Sequence, residues 1–527
     1  MKKNENIEKN ENIENKEKIE KKPKNFKKFK YGSMSAVVIV LVVAIVVVIN
    51  VISSMLMKRY PLKLDLTSDS RYELCDETIE VLKKMESDVE IAVMMPESTL
   101  LNYKYYNMIP KILENYQVYA EAGKGSIEVK YIDTTKDPDE VSKYSKYYNG
   151  NITDGSIVVY SNEKVKVTSV SAMISSNGQS SYYGYSEDVT YSFVGESTLT
   201  SAIMSVTDAN PMRAAFMSYM DAEHTTYVYG SNSSAYGAES FKNLLAKNGY
   251  ECTDVDIYTC DVSPEDYDLV VIPAPAYDLS EDAVAKIEDF LFNGGEYGKH
   301  MIYIAGLDSA ELPHINELLN KWNIEIGDSV VGDDTNMMNA SLYVLNYETA
   351  ASPIVSVSDA EAVGTLPNET LPIIAPFSRN INIIEKNSEY VTSPVLTTAK
   401  TAHLSKLDGS ETDVTGQQNV MVLSKRERAE QLDVYTSSIL AIGSVYMSDP
   451  SILTNTNSYN NANLLINAVN TMTGKENSFV IPQKNLQEET LSLTAAQIVG
   501  IRTFVVFIIP LIVVVIGIVV FIRRKNK

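Results

Sequence analysis

The chain has 527 residues, enough for more than one folded domain, and its formal charge of −22 is unevenly spread. The first 30 residues hold 11 Lys against 6 acids, and the last five, Arg-Arg-Lys-Asn-Lys, add four positive charges; 31 basic and 62 acidic residues remain between them. A body carrying −31 lacks the basic footprint that nucleic-acid binding needs, and suits a solvated surface outside a cell.

Residues 1–35 form a charged tail with no core-building pattern. Residues 36–57 follow as 22 uncharged, mostly apolar residues, long enough as a helix to span roughly 33 Å. This run exceeds the apolar core of a signal peptide and has no convincing cleavage site, so it is expected to be a transmembrane helix. Residues 503–522 are a second uncharged run, in which Pro510 and Gly517 are tolerable for a membrane helix. Basic residues precede the first run and form the tail 523–527 after the second. Both termini are therefore expected in the cytoplasm, with residues 58–502 on the other side of a cell membrane.

Within that outer region, 58–190 is expected to form a first α/β domain. A helix is predicted over 77–85, with Cys75 or Asp76 as its N-cap, then a strand at 89–96 and an amphipathic helix over 99–119 that Pro110 must kink or divide. A strand at 126–133, a helix opening at Asp133, and a strand pair at 156–161 and 164–169 complete a thioredoxin-like order. No CxxC pair accompanies it, so redox exchange has no nucleophile there. Residues 175–193 are rich in Ser, Gly and Tyr and predict a flexible hairpin or boundary loop, with a ligand-stacking lid as the sharper alternative.

Residues 191–484 predict a larger, doubly wound, flavodoxin-like α/β domain. Its elements are a helix from Phe193, a strand at 212–220, a helix at 235–247, strands at 251–258 and 268–275, a helix at 280–292, a strand at 301–306 and a helix at 312–322. Residues 335–430 are polar and strand-like; further strands follow, including 437–449, and a helix at 461–474 ends on glycine. Residues 485–502 are a juxtamembrane segment.

Chemistry is sparse. The stretch 293–301, NGGEYGKHM, has the wrong spacing for a phosphate loop and joins helix to strand, so it predicts a helix stop and turn. His224, His300, His314 and His403 show no metal-ligand spacing, and no cofactor motif occurs. Cys75, Cys252 and Cys260 are too few for a disulfide framework, although a bridge between the last two is conceivable. Asp221, Glu223 and His224 follow a strand at its carboxyl end, where doubly wound sheets place ligands, and form the best local candidate for ligand binding. No residue qualifies for a catalytic role.

The stretch LDLTSDSRYELCDET (64–78) resembles the motif that follows the first membrane helix in GldG-like proteins, the auxiliary extracytoplasmic components of gliding-motility-type ABC transport systems. Asp65, Leu66, Thr67, Tyr72, Leu74 and Thr78 match that motif, with Cys75 in place of the usual serine. Similarity continues in YIDTTKDPDEV, in VGESTLTSAIMSVT, in the 268–295 region and in NNANLLINAVNTMTG. The chain departs from the family at residues 218–224, where relatives carry a Gly-His-x-Glu-like turn, and across 335–430. The resemblance implies an accessory subunit, not an enzyme, working with a separate ABC ATPase and a multi-span permease. A cell-surface module for glycan or wall polymer is the alternative; an outward-facing hydrolase would need an acid/base cluster such as Asp221, Glu223 and His224.

Overall fold

Helix α1 (Asp76–Lys84) opens on Asp76 and Glu77 and closes on Lys83 and Lys84, so its charges complement the helix dipole at both ends. The computed structural model describes residues 71–525 apart from 178–189, 221–226, 229–231, 308–310, 367, 409, 411, 431–432, 476–479, 487–499, 501 and 503, together with residues 44, 45, 47 and 48. Two units divide the chain, Met1–Leu64 and Asp65–Lys527. In the first, the four described residues are helical, and Ile45, Val47 and Val48 among them are exposed.

The larger unit is α/β. Its first sheet follows from β1 (Val89–Val93), β2 (Ile127–Tyr131), β3 (Ser156–Ser161) and β4 (Lys164–Ser169), in the order β2-β1-β3-β4. β1 and β2 are parallel, whereas β3 runs antiparallel to both β1 and β4. The helix expected over 99–119 is two helices, α2 (Glu97–Leu101) and α3 (Ile109–Ala120). Pro110 falls in the first turn of α3, where its missing N–H is not needed. The helix expected to open at Asp133 starts later, as α4 (Pro138–Ser145), because the Asp133 carboxylate accepts the N–H groups of Thr135 and Lys136 and holds a turn. β5 (Ile174–Asn177) and β6 (Thr190–Phe193) pair antiparallel, giving the two arms of the hairpin expected at 175–193; its intervening residues 178–189 lie outside the described ones. Helix α5 (Gly195–Thr207) then places Leu199, Ala202, Ile203 and Val206 in one core with Leu82, Ile112, Ile157 and Val159.

A second sheet begins with β7 (Met212–Met217). A short pair, β8 (Tyr219–Met220) and β9 (Tyr227–Val228), interrupts the run before α6 (Asn232–Lys247) and β10 (Tyr250–Val255). The expected strand 251–258 ends early because Asp256 turns the chain, its carboxylate accepting the Tyr258 N–H. β11 (Leu269–Pro273), α7 (Glu281–Phe292), β12 (His300–Ile304) and α8 (Pro313–Lys321) follow. α7 stops at Asn293 in the left-handed region, followed by two glycines at positive φ, so the NGGEYGKHM stretch is the expected helix stop.

Residues 324–442 add an antiparallel extension. It contains β13 (Ile324–Gly332), β14 (Met337–Ser341), β15 (Thr349–Val357), the single turn α9 (Ala360–Val363), β16 (Ile373–Ile374), β17 (Arg379–Ile383), β18 (Val391–Thr398), β19 (His403–Lys406), β20 (Asn419–Glu430) and β21 (Asp433–Ile442). β21 pairs antiparallel with β20 on one side and parallel with β12 on the other, so it joins the extension to the parallel strands. The parallel part reads β10-β7-β11-β12-β21. Alternate residues point to opposite cores. Phe216, Val271, Ile302 and Leu440 meet Phe241 and Leu245 of α6 and Leu465 of the later helix α11 (Asn461–Thr473). Ala215, Val270, Met301 and Ile439 meet Ile287 and Phe290 of α7 and Leu318 of α8. Both faces are covered, which is why these strands are apolar runs.

The strand expected at 437–449 ends at Ile442. Ser444 accepts the Tyr446 N–H and bends the chain into a 3₁₀ turn before α10 (Pro450–Thr454). α11 ends on Gly474 at positive φ, as its glycine suggested. β22 (Lys484–Asn485) returns to pair with β6. A π turn at Phe504–Ile508 leads into α12 (Ile509–Lys525); Pro510 lacks the N–H that would continue a regular ladder back through that turn. Phe504, Phe507, Leu511, Ile512, Val515 and Ile522 are exposed. Among the described residues no helix is long and apolar enough to cross a membrane.

Candidate functional site

The sequence places Asp221, Glu223 and His224 after the first parallel strand. β8 and β9 flank them as an antiparallel pair, but the three residues lie outside the described ones. The remaining histidines are scattered. His300 is buried on β12 with Nδ1 2.7 Å from Ser438 Oγ, and burial, assisted by Lys299, lowers its pKa to about 4. His314 sits beside Asp278 and the Leu279 carbonyl at the start of α8. Among the described residues, no group of three His, Cys, Asp or Glu could hold a metal ion. All three cysteines are free thiols.

Two motifs that are far apart in sequence meet instead at Glu196, a carboxylate on α5 that is 1% exposed. Its Oε1 accepts the backbone N–H of Cys75 at 2.7 Å, and its Oε2 lies 2.7 Å from Lys484 Nζ, as an ion pair rather than a well-directed hydrogen bond. Lys484 also donates to the Glu73 carbonyl. Tyr116 Oη donates to the Glu196 carbonyl at 2.9 Å and lies 2.6 Å from Thr200 Oγ1, which in turn touches Thr78. The junction thus ties residues 73–78, α3, α5 and β22 together.

Cys75 occupies the N-cap position of α1, yet its side chain does not cap the backbone; Sγ lies 3.3 Å from Thr78 Oγ1. Burial, and then the Glu196 charge, push the Cys75 thiol well above its usual range. A thiol held protonated beside a carboxylate is a poor nucleophile.

Above this junction opens a cleft of about 1100 Å³. Residues 73–75 and the β5–β6 pair line it, together with the β14–β15 hairpin, α10 and residues 455–459. Residues 482–485 complete the lining. The hairpin is fixed by Asp449, 1% exposed, whose carboxylate accepts the N–H groups of Tyr343, Val344 and Ser451. Ser451 also donates to the Ser341 carbonyl at 2.8 Å.

At the hairpin tip Asn346 and Tyr347 both adopt positive φ, 52° and 65°. Left-handed backbone at a non-glycine residue costs about 1 kcal/mol or more, and persists only where surrounding structure dictates it. Here it sets Tyr347 edge-to-face with Tyr343 (ring centroids 5.5 Å apart), and Tyr343 in turn meets Tyr236 of α6 at 5.1 Å. Both Tyr343 and Tyr347 line the cleft.

Sequence reasoning missed this cleft because five short, separate segments build it and none has a diagnostic spacing. The excess of tyrosine and the Asn-rich runs near 455–463 were the available signals.

The profile of a family described as "Domain of unknown function (DUF7088)" matches residues 68–176, which span α1 to β5. No curated protein matches the sequence significantly. Among solved structures, the mmIFT52 N-terminal domain is 12% identical, with a TM-score of 0.33; the alignment covers 51% of this chain and all of that one. The exo-beta-1,4-mannosidase Op5Man5 from Opitutaceae bacterium strain TAV5 is 11% identical, with a TM-score of 0.25, covering 65% of this chain and 44% of that one. Likenesses this weak carry no functional argument.

Proposed function

We propose that the chain is a membrane-anchored, extracytoplasmic accessory subunit of a gliding-motility-like ABC transport system, of the GldG type, acting with a separate ATPase and a multi-span permease. On this reading a thioredoxin-like unit and a flavodoxin-like unit stand outside the cytoplasm between two transmembrane helices, one over 36–57 and one over 503–522. The order β2-β1-β3-β4 with β3 reversed supports the first comparison, and the parallel order β10-β7-β11-β12-β21, which numbers 2-1-3-4-5 along the chain, supports the second.

The observation that carries the reading is the junction at Glu196. Residues 73–75, just after the first apolar segment, and Lys484, shortly before the second, share one buried ion pair and its hydrogen bonds. A body whose first and last segments meet suits two anchors in one bilayer. The exposed apolar side chains of α12 favour lipid as their environment. The acidic body and basic ends agree with the orientation expected from the positive-inside tendency.

The test is affinity purification of the full chain from membranes in mild detergent. An ATPase with a phosphate-loop motif and a multi-span permease are expected to co-purify. A chain that always purifies alone overturns the transport role.

A further inference from the structure

We propose that the cleft above the Glu196–Lys484 pair binds a neutral oligosaccharide. The inference rests on the extracytoplasmic reading above, because glycan polymers are met on that side of the membrane.

The lining decides the ligand class. Its charged residues are Glu73 and Lys484, and the Lys484 ammonium is already held by Glu196 and the Glu73 carbonyl. A cleft whose ammonium is already paired and whose other charge is a carboxylate offers no attraction to a phosphate or a polyanion, and a single carboxylate does not make a site for a polycation. Polar residues interrupt its apolar lining throughout, which does not suit an acyl chain. Asn339, Asn455 and Asn457 line the cleft as exposed residues, and among the described residues their side chains have no hydrogen-bond partner. Each carboxamide both donates and accepts, which matches a hydroxyl that does the same.

Tyr343 and Tyr347 supply the complementary surface. Pyranose rings present C–H faces, and these are attracted to the negative face of an aromatic ring. Rings held by a constrained turn lose little freedom when a ligand stacks on them. The volume of about 1100 Å³ lies just above the range of small-molecule sites, roughly 300–1,000 Å³, so the cleft suits an oligomer better than a single sugar. An extended peptide is the competing occupant, since β14 pairs with β15 alone among the described strands. A peptide would need apolar pockets for alternate side chains, whereas the apolar lining beyond the two tyrosines is limited to Pro450, Pro482 and the buried Leu74 and Tyr459.

The experiment is calorimetric titration of the detergent-solubilised full chain with a panel of neutral hexasaccharides, including chitohexaose, cellohexaose and maltohexaose. Inositol hexaphosphate and an extended polar peptide serve as comparison ligands. Saturable binding of at least one hexasaccharide is expected. Tyr343→Ala should weaken it by about tenfold or more, and the exposed Asn457→Ala, which leaves folding intact, by a few-fold. Absence of binding across the panel, binding unchanged in both variants, or preference for the polyanion or the peptide would overturn the proposal. None of these outcomes bears on whether an ATPase and permease co-purify, so the two readings fail separately.

Discussion

Beside the cleft, Glu196 and its partner Lys484, which lines it, are almost withdrawn from water, with side chains 2% and 10% exposed, and they hold four chain segments together. In the lining of the same cleft, Asn339, Asn455 and Asn457 stay in contact with solvent, and Tyr347 holds a strained backbone. Both regions are polar, yet burial gives them opposite roles. Groups removed from water must satisfy each other, so losing either partner of the buried pair is costly. Groups left open to water can exchange it for a ligand.

The largest expected effect breaks the buried pair. Lys484→Met leaves the Glu196 carboxylate buried without its counter-charge, and should destabilise the protein by about 3–5 kcal/mol in denaturant or thermal unfolding. The double variant Glu196→Gln with Lys484→Met should recover much of that loss, because no unpaired charge remains. A Lys484→Met protein as stable as an Asn457→Ala protein would erase the distinction between the buried pair and the exposed lining.

His300 extends the comparison to a buried group with no counter-charge touching it. Its folded pKa of about 4 lies below the ordinary value of 6.5, so the native state prefers the neutral ring. Stability from this group is therefore fully present above pH 6.5 and is lost as pH falls toward 4. The loss should total about 3 kcal/mol at the acid end. His300→Asn can keep the bond to Ser438 and should flatten this part of the pH–stability curve; an unchanged curve would remove the histidine from the account.

Smaller effects are expected where burial is incomplete or the contact is easily replaced. Cys75→Ser should change stability by no more than about 1 kcal/mol, in the stabilising direction if serine caps α1 better than the thiol does. Asn457→Ala in the cleft lining should stay within about 0.5 kcal/mol of the parent in unfolding while weakening glycan binding.

Much of the architecture was legible in the sequence because it rests on local pattern. The strands at 156–161 and 164–169 are bounded by their own turn residues, and the stop at 293–295 follows from Asn-Gly-Gly. Pro110 announced a break that the structure places before it, at the start of α3. The antiparallel extension was visible only as polar, strand-like sequence across 335–430. Its order depends on pairings such as β18 with β20 and β13 with β19, which join residues far apart along the chain. Glu196 was equally hidden. It lies in a stretch that resembles a known motif, but its partners, Cys75 and Lys484, stand 121 positions before it and 288 after it.

The proposed function requires the body between the two apolar segments to face away from the cytoplasm. Cys260 is an exposed free thiol, whereas Cys75 and Cys252 are half-buried. A membrane-impermeant maleimide applied to intact cells should therefore label the chain, and Cys260→Ser should remove most of that label. Labelling of Cys260 that appears only after the cells are lysed would contradict the account.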